Sequence, residues 1–184
     1  LTQFGITKGA LREVLTTSAT STTVIRRTDT GASSDMVAAA RTGVLRAVYF
    51  REGLLRELIQ ILAQTVSRHV VLIGPDGVGK RTLAYSLALL IAEDKGPTGI
   101  RNLVQVDERA LLDDPIGALQ SGLNRARGGI LFIPHIHRFF GGQLKAEFPK
   151  AAPMLQKTFL GGDPVLIGST TQALWDDRLR TIPA

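Results

Sequence analysis

"VVLIGPDGVGKRTLAYSLALL", residues 70–90, is the stretch whose reading decides the fold. Val70 to Ile73 is a short, wholly apolar run of the kind a buried parallel strand needs. It runs into Gly74-Pro75-Asp76-Gly77-Val78-Gly79-Lys80, a GxxxxGK pattern, and a helix is expected from about Lys80 to Ala92. In that context the glycines let consecutive backbone N–H groups converge on a polyphosphate. The helix N-terminus adds partial positive charge, and Lys80 can reach the terminal phosphates. The bland alternative is a tight strand-to-helix turn.

The residue after the lysine breaks the pattern. A Ser or Thr there normally offers its hydroxyl to Mg²⁺, whereas Arg81 has donors and no lone pair for a cation. Thr82 is no simple substitute: one residue further along a helix points about 100° away, so its hydroxyl suits a phosphate oxygen better than the metal position. Arg81 itself has two readings, a neutraliser of phosphate charge or a solvated surface residue.

Working outward, Leu54, Leu55, Leu58, Ile59 and Leu62 make an amphipathic helical stripe. Strands are expected at Leu103–Val106, Ile130–Ile133 and Val165–Ile167, with helices at Pro115–Arg127, where Pro opens the first turn, and around Ala151–Leu160. Strands alternating with helices predict an α/β fold. Its centre is a parallel sheet of the P-loop NTPase type, flanked by helices and joined by right-handed crossovers.

Ahead of this unit the composition changes. "TTSATSTTVIRRTDTGASSD", residues 16–35, is too rich in Ser, Thr, Gly and Ala to build a core, so residues 16–43 are read as a linker or flexible, partly ordered arm. Residues 1–15 carry Leu11, Val14 and Leu15 at helical spacing, as the tail of a preceding domain would, and 44–184 is the ATPase-like domain. The start at Leu1 rather than Met reads as a piece of a longer chain.

The 184 residues hold no cysteine, which removes disulfides and Cys-ligated metals from consideration. No apolar run approaches the roughly 20 residues that span a bilayer, and no signal pattern opens the chain. We therefore expect a soluble protein without a membrane partner. A formal charge of +6 invites a nucleic-acid reading, but Lys and Arg are scattered and no basic stripe is interleaved with aromatics. A helicase-loader-like role is thus the least supported, and salt-dependent binding to a random duplex would reveal it.

A second nucleotide-handling element belongs at the end of another strand, as apolar residues followed by two acids. The candidate is "GGILFIPHIHRFFGG", residues 128–142, with Pro134 and His135 where the acids belong. With "LLRELIQILAQTVSRHVVLIGPDGVGKRTLAYSLALLIAE" before it and "PVLIGSTT" after it, this order and spacing resembles the first ATPase module of the Clp unfoldases, a branch of the AAA+ ATPases, over residues 44–184.

The resemblance implies ATP or ADP bound by Gly74, Pro75, Asp76, Gly77, Val78, Gly79, Lys80, Arg81 and Thr82, with Val48 and Tyr49 beside the adenine. It also implies Thr170, in the segment Ser169-Thr170-Thr171, facing a γ-phosphate. Other AAA+ or Clp-type subunits in a ring-like oligomer, and a cytoplasmic or organelle-interior (stroma or matrix) location, come with it.

The departures point toward weak hydrolysis. With Pro134 and His135 in the acid positions, no catalytic residue and no metal ligand is assigned, and Mg²⁺ lacks its usual partners. His137 matches a family histidine and reads as structural. The segment "VDERALLDDPIGALQSGL" has no aromatic to grip polypeptide, and Asp113 and Asp114 look like helix-start residues. Arg178 and Arg180 are expected on a helix surface. Two readings compete: an impaired, regulatory or structural module, and an active ATPase that recruits Asp107 or Glu108 as a non-standard acid.

Overall fold

The computed structural model describes residues 2–4, 31–45, 51–66 and 68–180. Its centre is a six-stranded sheet in the order β1-β3-β6-β5-β4-β2. The strands are β1 (Thr2–Phe4), β2 (Ser33–Asp35), β3 (Val70–Ile73), β4 (Leu103–Val106), β5 (Ile130–Ile133) and β6 (Val165–Thr170). All neighbours pair in parallel except β2, which runs antiparallel to β4 along one edge.

Four strands read from sequence are present, and the reason they were legible is visible in their burial. Every residue of β3, β5 and β6 is buried, so neither face needs polar side chains. Alternate residues then serve two cores. Val70, Leu72, Leu103, Phe132 and Ile167 face one side of the sheet with α1 (Met36–Arg41), α2 (Glu52–Leu62) and α3 (Lys80–Ala92). Val71, Ile73, Val104, Leu131, Ile133 and Leu166 face the other. That second core is shared with α4 (Glu108–Asp113), α5 (Pro115–Arg125), α6 (Ala152–Gly161) and a 3₁₀ turn, Ile136–Phe139. The result is the expected α/β fold, helices on both faces of a mostly parallel sheet.

The arm expected over 16–43 is corrected where it is described. Residues 33–41 are part of the folded unit, as β2 and α1. Asp35 caps α1 by accepting from the Val37 and Ala38 amides, each at 3.0 Å, and Met36 and Val37 are buried in the first core. The segment read as a linker pairs its backbone with β4 instead. There the Asp107 N–H reaches the Ala32 carbonyl at 3.0 Å, and Arg125 donates to the Ser33 carbonyl.

Two further differences are local. Helix α5 ends at Arg125 rather than Arg127, with Gly128 turning the chain at φ +69° toward β5. Strand β6 runs on to Thr170, three residues past the expected end, because Ile73 pairs with Thr170 and Ile133 with Gly168. Those registers bring the C-terminal ends of β3, β5 and β6 together at one rim, where ligands of open α/β sheets bind. Leu11, Val14 and Leu15 lie outside the described residues.

Candidate functional site

The rim is built around the glycine loop. Gly77 and Gly79 have φ of +76° and +88°, in the left-handed region where a Cβ would strain the chain. The Gly74 N–H is held by the Thr170 carbonyl at 3.2 Å, which ties the loop to the end of β6. Lys80 folds back over the loop, its ammonium donating to the carbonyls of Gly74 at 2.7 Å and Pro75 at 2.8 Å. Asp76 stands 3.8 Å away. Burial pulls the Lys80 pKa below its usual value, and Asp76 pulls it partly back.

Arg51, which sequence reasoning passed over, completes the loop from outside. It precedes α2 and donates to the Val78 carbonyl. Its guanidinium lies against Gly79, where a Cβ would stand 3.4 Å from Nη2. Partial burial lowers its pKa as well. The only sequence signal was its place at the start of an amphipathic helix.

Arg81 stands in the first turn of α3. Its guanidinium pairs with the Glu108 carboxylate across α3 and α4, and both side chains are solvent-accessible. Such a pair is worth about 0–1 kcal/mol. Thr82 lies in the first turn of α3, with its carbonyl accepting from Ser86 Oγ at 3.0 Å. The two acids considered as substitutes are both engaged: Glu108 by Arg81, and Asp107 by capping α4, where its Oδ1 accepts from the amides of Arg109 and Ala110 at 2.8 and 3.2 Å. Asp114 caps α5 through the Gly117 amide at 3.0 Å, as its position before Pro115 suggested.

Opposite the loop, at the end of β5, stand Pro134 and His135. His135 has φ +51° and donates its backbone N–H to Ser169 Oγ at 3.3 Å. Its ring meets the His137 ring edge-on, with centroids 5.7 Å apart. His137 is buried, and its Nδ1 lies 3.0 Å from Thr170 Oγ1. Thr170 therefore braces the site twice, by its carbonyl to Gly74 and its hydroxyl to His137. Val48 and Tyr49, expected at the adenine, lie outside the described residues.

Arg178 corrects an expectation. It is buried rather than on a helix surface, in a π-helical turn, Trp175–Leu179, that follows β6, whereas Arg180 is exposed. Among the described residues no group of three or more acidic, His or Cys side chains is placed to hold a metal. The donor chemistry at the rim agrees: Arg81, Pro134 and His135 provide no carboxylate or hydroxyl for Mg²⁺. A polyphosphate fits the same residues, because the glycine amides, Lys80 and Arg51 are all donors.

Two buried histidines, His137 at the rim and His69 at the other end of β3, tie stability to pH. Burial, then the charges of His135 and Arg178, push the His137 pKa from 6.5 down to about 4. Burial also lowers His69, whose Nδ1 accepts the Leu166 N–H at 2.9 Å while Nε2 faces the Phe159 carbonyl at 3.2 Å. For His137, between about pH 6.5 and 4 the unfolded chain binds a proton that the folded chain refuses. Stability is full above the unfolded pKa and is lost as pH falls through that window. His137 alone should cost roughly 2 kcal/mol by pH 4 after allowance for partial solvation. Melting temperature against pH should show the fall, with a shallower slope in His137→Asn; equal slopes would remove His137 from the account.

No family model matches the chain. The chain is 30% identical over 190 residues to the chaperone protein ClpB 1 of Parasynechococcus marenigrum, an alignment covering 93% of this chain and 22% of the relative. It is 33% identical over 152 residues to ClpB of Rhizobium meliloti, covering 74% and 17%. Among solved structures it resembles a Saccharomyces cerevisiae Hsp104–casein complex with a TM-score of 0.64 and 28% identity, over 78% of this chain and 26% of that one. An Hsp104–ADP complex gives a TM-score of 0.61 and 26% identity over 79% and 22%. The chain spans about a fifth of the length of the curated relatives it matches.

Proposed function

This chain belongs to the Clp family of AAA+ ATPase modules, and from that premise we propose that it binds ATP or ADP on residues 74–82 without carrying out efficient hydrolysis. It would serve as a structural or regulatory member of a Clp-type chaperone or protease-associated assembly, beside other AAA+ subunits in a ring-like oligomer. We extend the ATPase-like unit ahead of residue 44 to take in β1, β2 and α1, because β1 pairs with β3, β2 pairs with β4, and α1 shares the first core.

One contrast carries the reading: the loop keeps its left-handed glycines and a partly buried lysine, while the strand end facing it holds Pro134 and His135 in place of two acids. The loop amides and Lys80 would bind the phosphates, Arg51 would hold the loop's outer side, and Thr170 with His137 would fix the rim opposite. None of these groups supplies negative charge to organise a cation or to polarise an attacking water. Loss of both functions removes transition-state stabilisation of several kcal/mol in a phosphoryl-transfer site. The rival reading, an ATPase with a recruited acid, is weakened by the engagement of Asp107 and Glu108 with the α4 cap and Arg81.

Titration of the purified protein with a fluorescent ATP analogue, with and without Mg²⁺, tests the proposal. Binding should be micromolar, nearly independent of Mg²⁺, and weakened at least about tenfold by Lys80→Ala, which removes a charge-assisted contact to phosphate. Strong Mg²⁺ dependence in the unaltered protein would favour the ATPase reading. No binding at all would leave the loop as a structural turn.

A further inference from the structure

Two cationic side chains hold carbonyls of the glycine loop, and they hold opposite ends of it. Lys80 donates to Gly74 and Pro75, at 2.7 and 2.8 Å, and Arg51 donates through Nη2 to Val78. Lys80 belongs to the loop, whereas Arg51 arrives from a separate element. Its place there is fixed. The Arg51 carbonyl accepts the Leu55 N–H at 3.0 Å at the start of α2, and that helix buries Leu55, Leu58, Ile61 and Leu62 in the first core. The guanidinium also packs on the loop: a Cβ at Gly79 would stand 3.4 Å from Nη2, 3.6 Å from Cζ and 3.7 Å from Nη1. It lies along the side that glycine leaves bare.

Peptide geometry turns this grip into a direction. The peptide joining Val78 to Gly79 is planar and trans, so its C=O and N–H point opposite ways. With the carbonyl held by Arg51, the Gly79 N–H points away from the guanidinium. Among the described residues that N–H has no acceptor, whereas the Val78 N–H reaches the Pro75 carbonyl at 3.4 Å and the Gly79 carbonyl accepts the Leu83 N–H at 3.0 Å. Gly79 is the N-cap of α3, so this donor stands beside the first N–H groups of the helix, where an anion is favoured. A cation bonded to the carbonyl also polarises the peptide, which makes its N–H a stronger donor.

We propose that Arg51 is a positioning residue for the nucleotide: by holding the Val78 carbonyl it aims the Gly79 N–H at the phosphates, and it touches neither phosphate nor base itself. The inference rests on the nucleotide-binding reading above.

The test compares ATP and inorganic tripolyphosphate as competitors of the fluorescent ATP analogue, in the unaltered protein, Arg51→Met and Arg51→Lys. Arg51→Met should weaken both competitors by the same factor, roughly five- to tenfold, because a phosphate donor is misdirected and the base is not involved. Arg51→Lys can still donate a charge-assisted bond to Val78 and should recover part of the loss. In proton–nitrogen NMR spectra of the ligand-free proteins the Gly79 amide should move upfield in Arg51→Met, with the Gly168 amide unmoved. Melting temperature should stay close to the parent's, because methionine keeps the packing of the arginine stem. Arg51→Lys carries the same readouts if Arg51→Met proves too unstable to titrate.

A loss of ATP affinity with tripolyphosphate unaffected would make Arg51 a contact of the base or ribose and overturn the proposal. An unmoved Gly79 amide, or equal affinities in all three proteins, would overturn it too and leave nucleotide binding intact. Failure of the unaltered protein to bind ATP would instead remove the reading beneath it, and the assignment of Arg51 with it.

Discussion

Gly168→Ala is expected to lower the melting temperature by roughly 6–12 °C, the shift that about 3 kcal/mol produces in a chain of this size. Gly168 lies in the middle of β6, where every side chain is buried. A Cβ built there would stand 2.7 Å from Cγ2, 2.8 Å from Cδ1 and 3.0 Å from Cβ of Ile136. Ile136 is β-branched and fully buried, so it has little freedom to turn aside. The strain would pass to the backbone of the turn that begins at His135.

That makes the substitution more than a stability lesion. Ile136 lies between His135 and His137, and His137 is what Thr170 Oγ1 holds. Displacing the turn should loosen the rim facing the loop and weaken nucleotide binding even where the variant remains folded. Gly53→Ala is the control: it sits in the first turn of α2 with nothing within 4 Å of the added carbon, and alanine favours helix by up to about 1 kcal/mol. Differential scanning of the two variants, with the ATP-analogue titration on each, tests the claim. Comparable melting temperatures for both would mean that Ile136 adapts and that the close packing of β6 on the turn is not limiting.

The contrast between Gly168 and the glycines of the loop also shows how far the sequence could be read. A GxxxxGK run after four apolar residues names its own geometry, because the chemistry of phosphate binding needs those residues in that order. Strands buried on both faces are similarly plain, since their apolar content is uninterrupted. Gly168 carries no such label, because its need for a missing side chain arises from a residue 32 positions earlier in the chain, across the sheet.

β2 and α1 were hidden for a different reason. "SSD" forms a three-residue edge strand through backbone pairing, and of the six residues of α1 only Met36 and Val37 are buried. Composition therefore argues for an arm. The one usable signal was Asp35 before Met36-Val37, a capping residue ahead of apolar side chains. Arg178 was misread because arginine is seldom buried, and a sequence does not show which arginine a fold encloses. Arg81 and Glu108 illustrate the opposite case. Each looked like a possible site residue alone, and only the fold shows that the two form a pair.

Restoring the missing groups should convert the site to Mg²⁺ dependence. In Arg81→Thr/Pro134→Asp/His135→Glu, Mg²⁺ is expected to raise ATP affinity at least about tenfold, against little change in the parent, because a hydroxyl, a carboxylate and the phosphates together form the oxygen set Mg²⁺ prefers. Arg81→Thr alone should do less. It frees Glu108 from its partner, but leaves Pro134 and His135 at the end of β5, so the strand facing the loop still offers no oxygen ligand. The left-handed backbone at His135, φ +51°, is adopted more readily by His than by Glu, so His135→Glu should add a small stability cost. Titrating each variant with Mg²⁺ at fixed ATP analogue distinguishes the cases. A triple variant as indifferent to Mg²⁺ as the parent would mean that these three positions do not set the site's response to the metal.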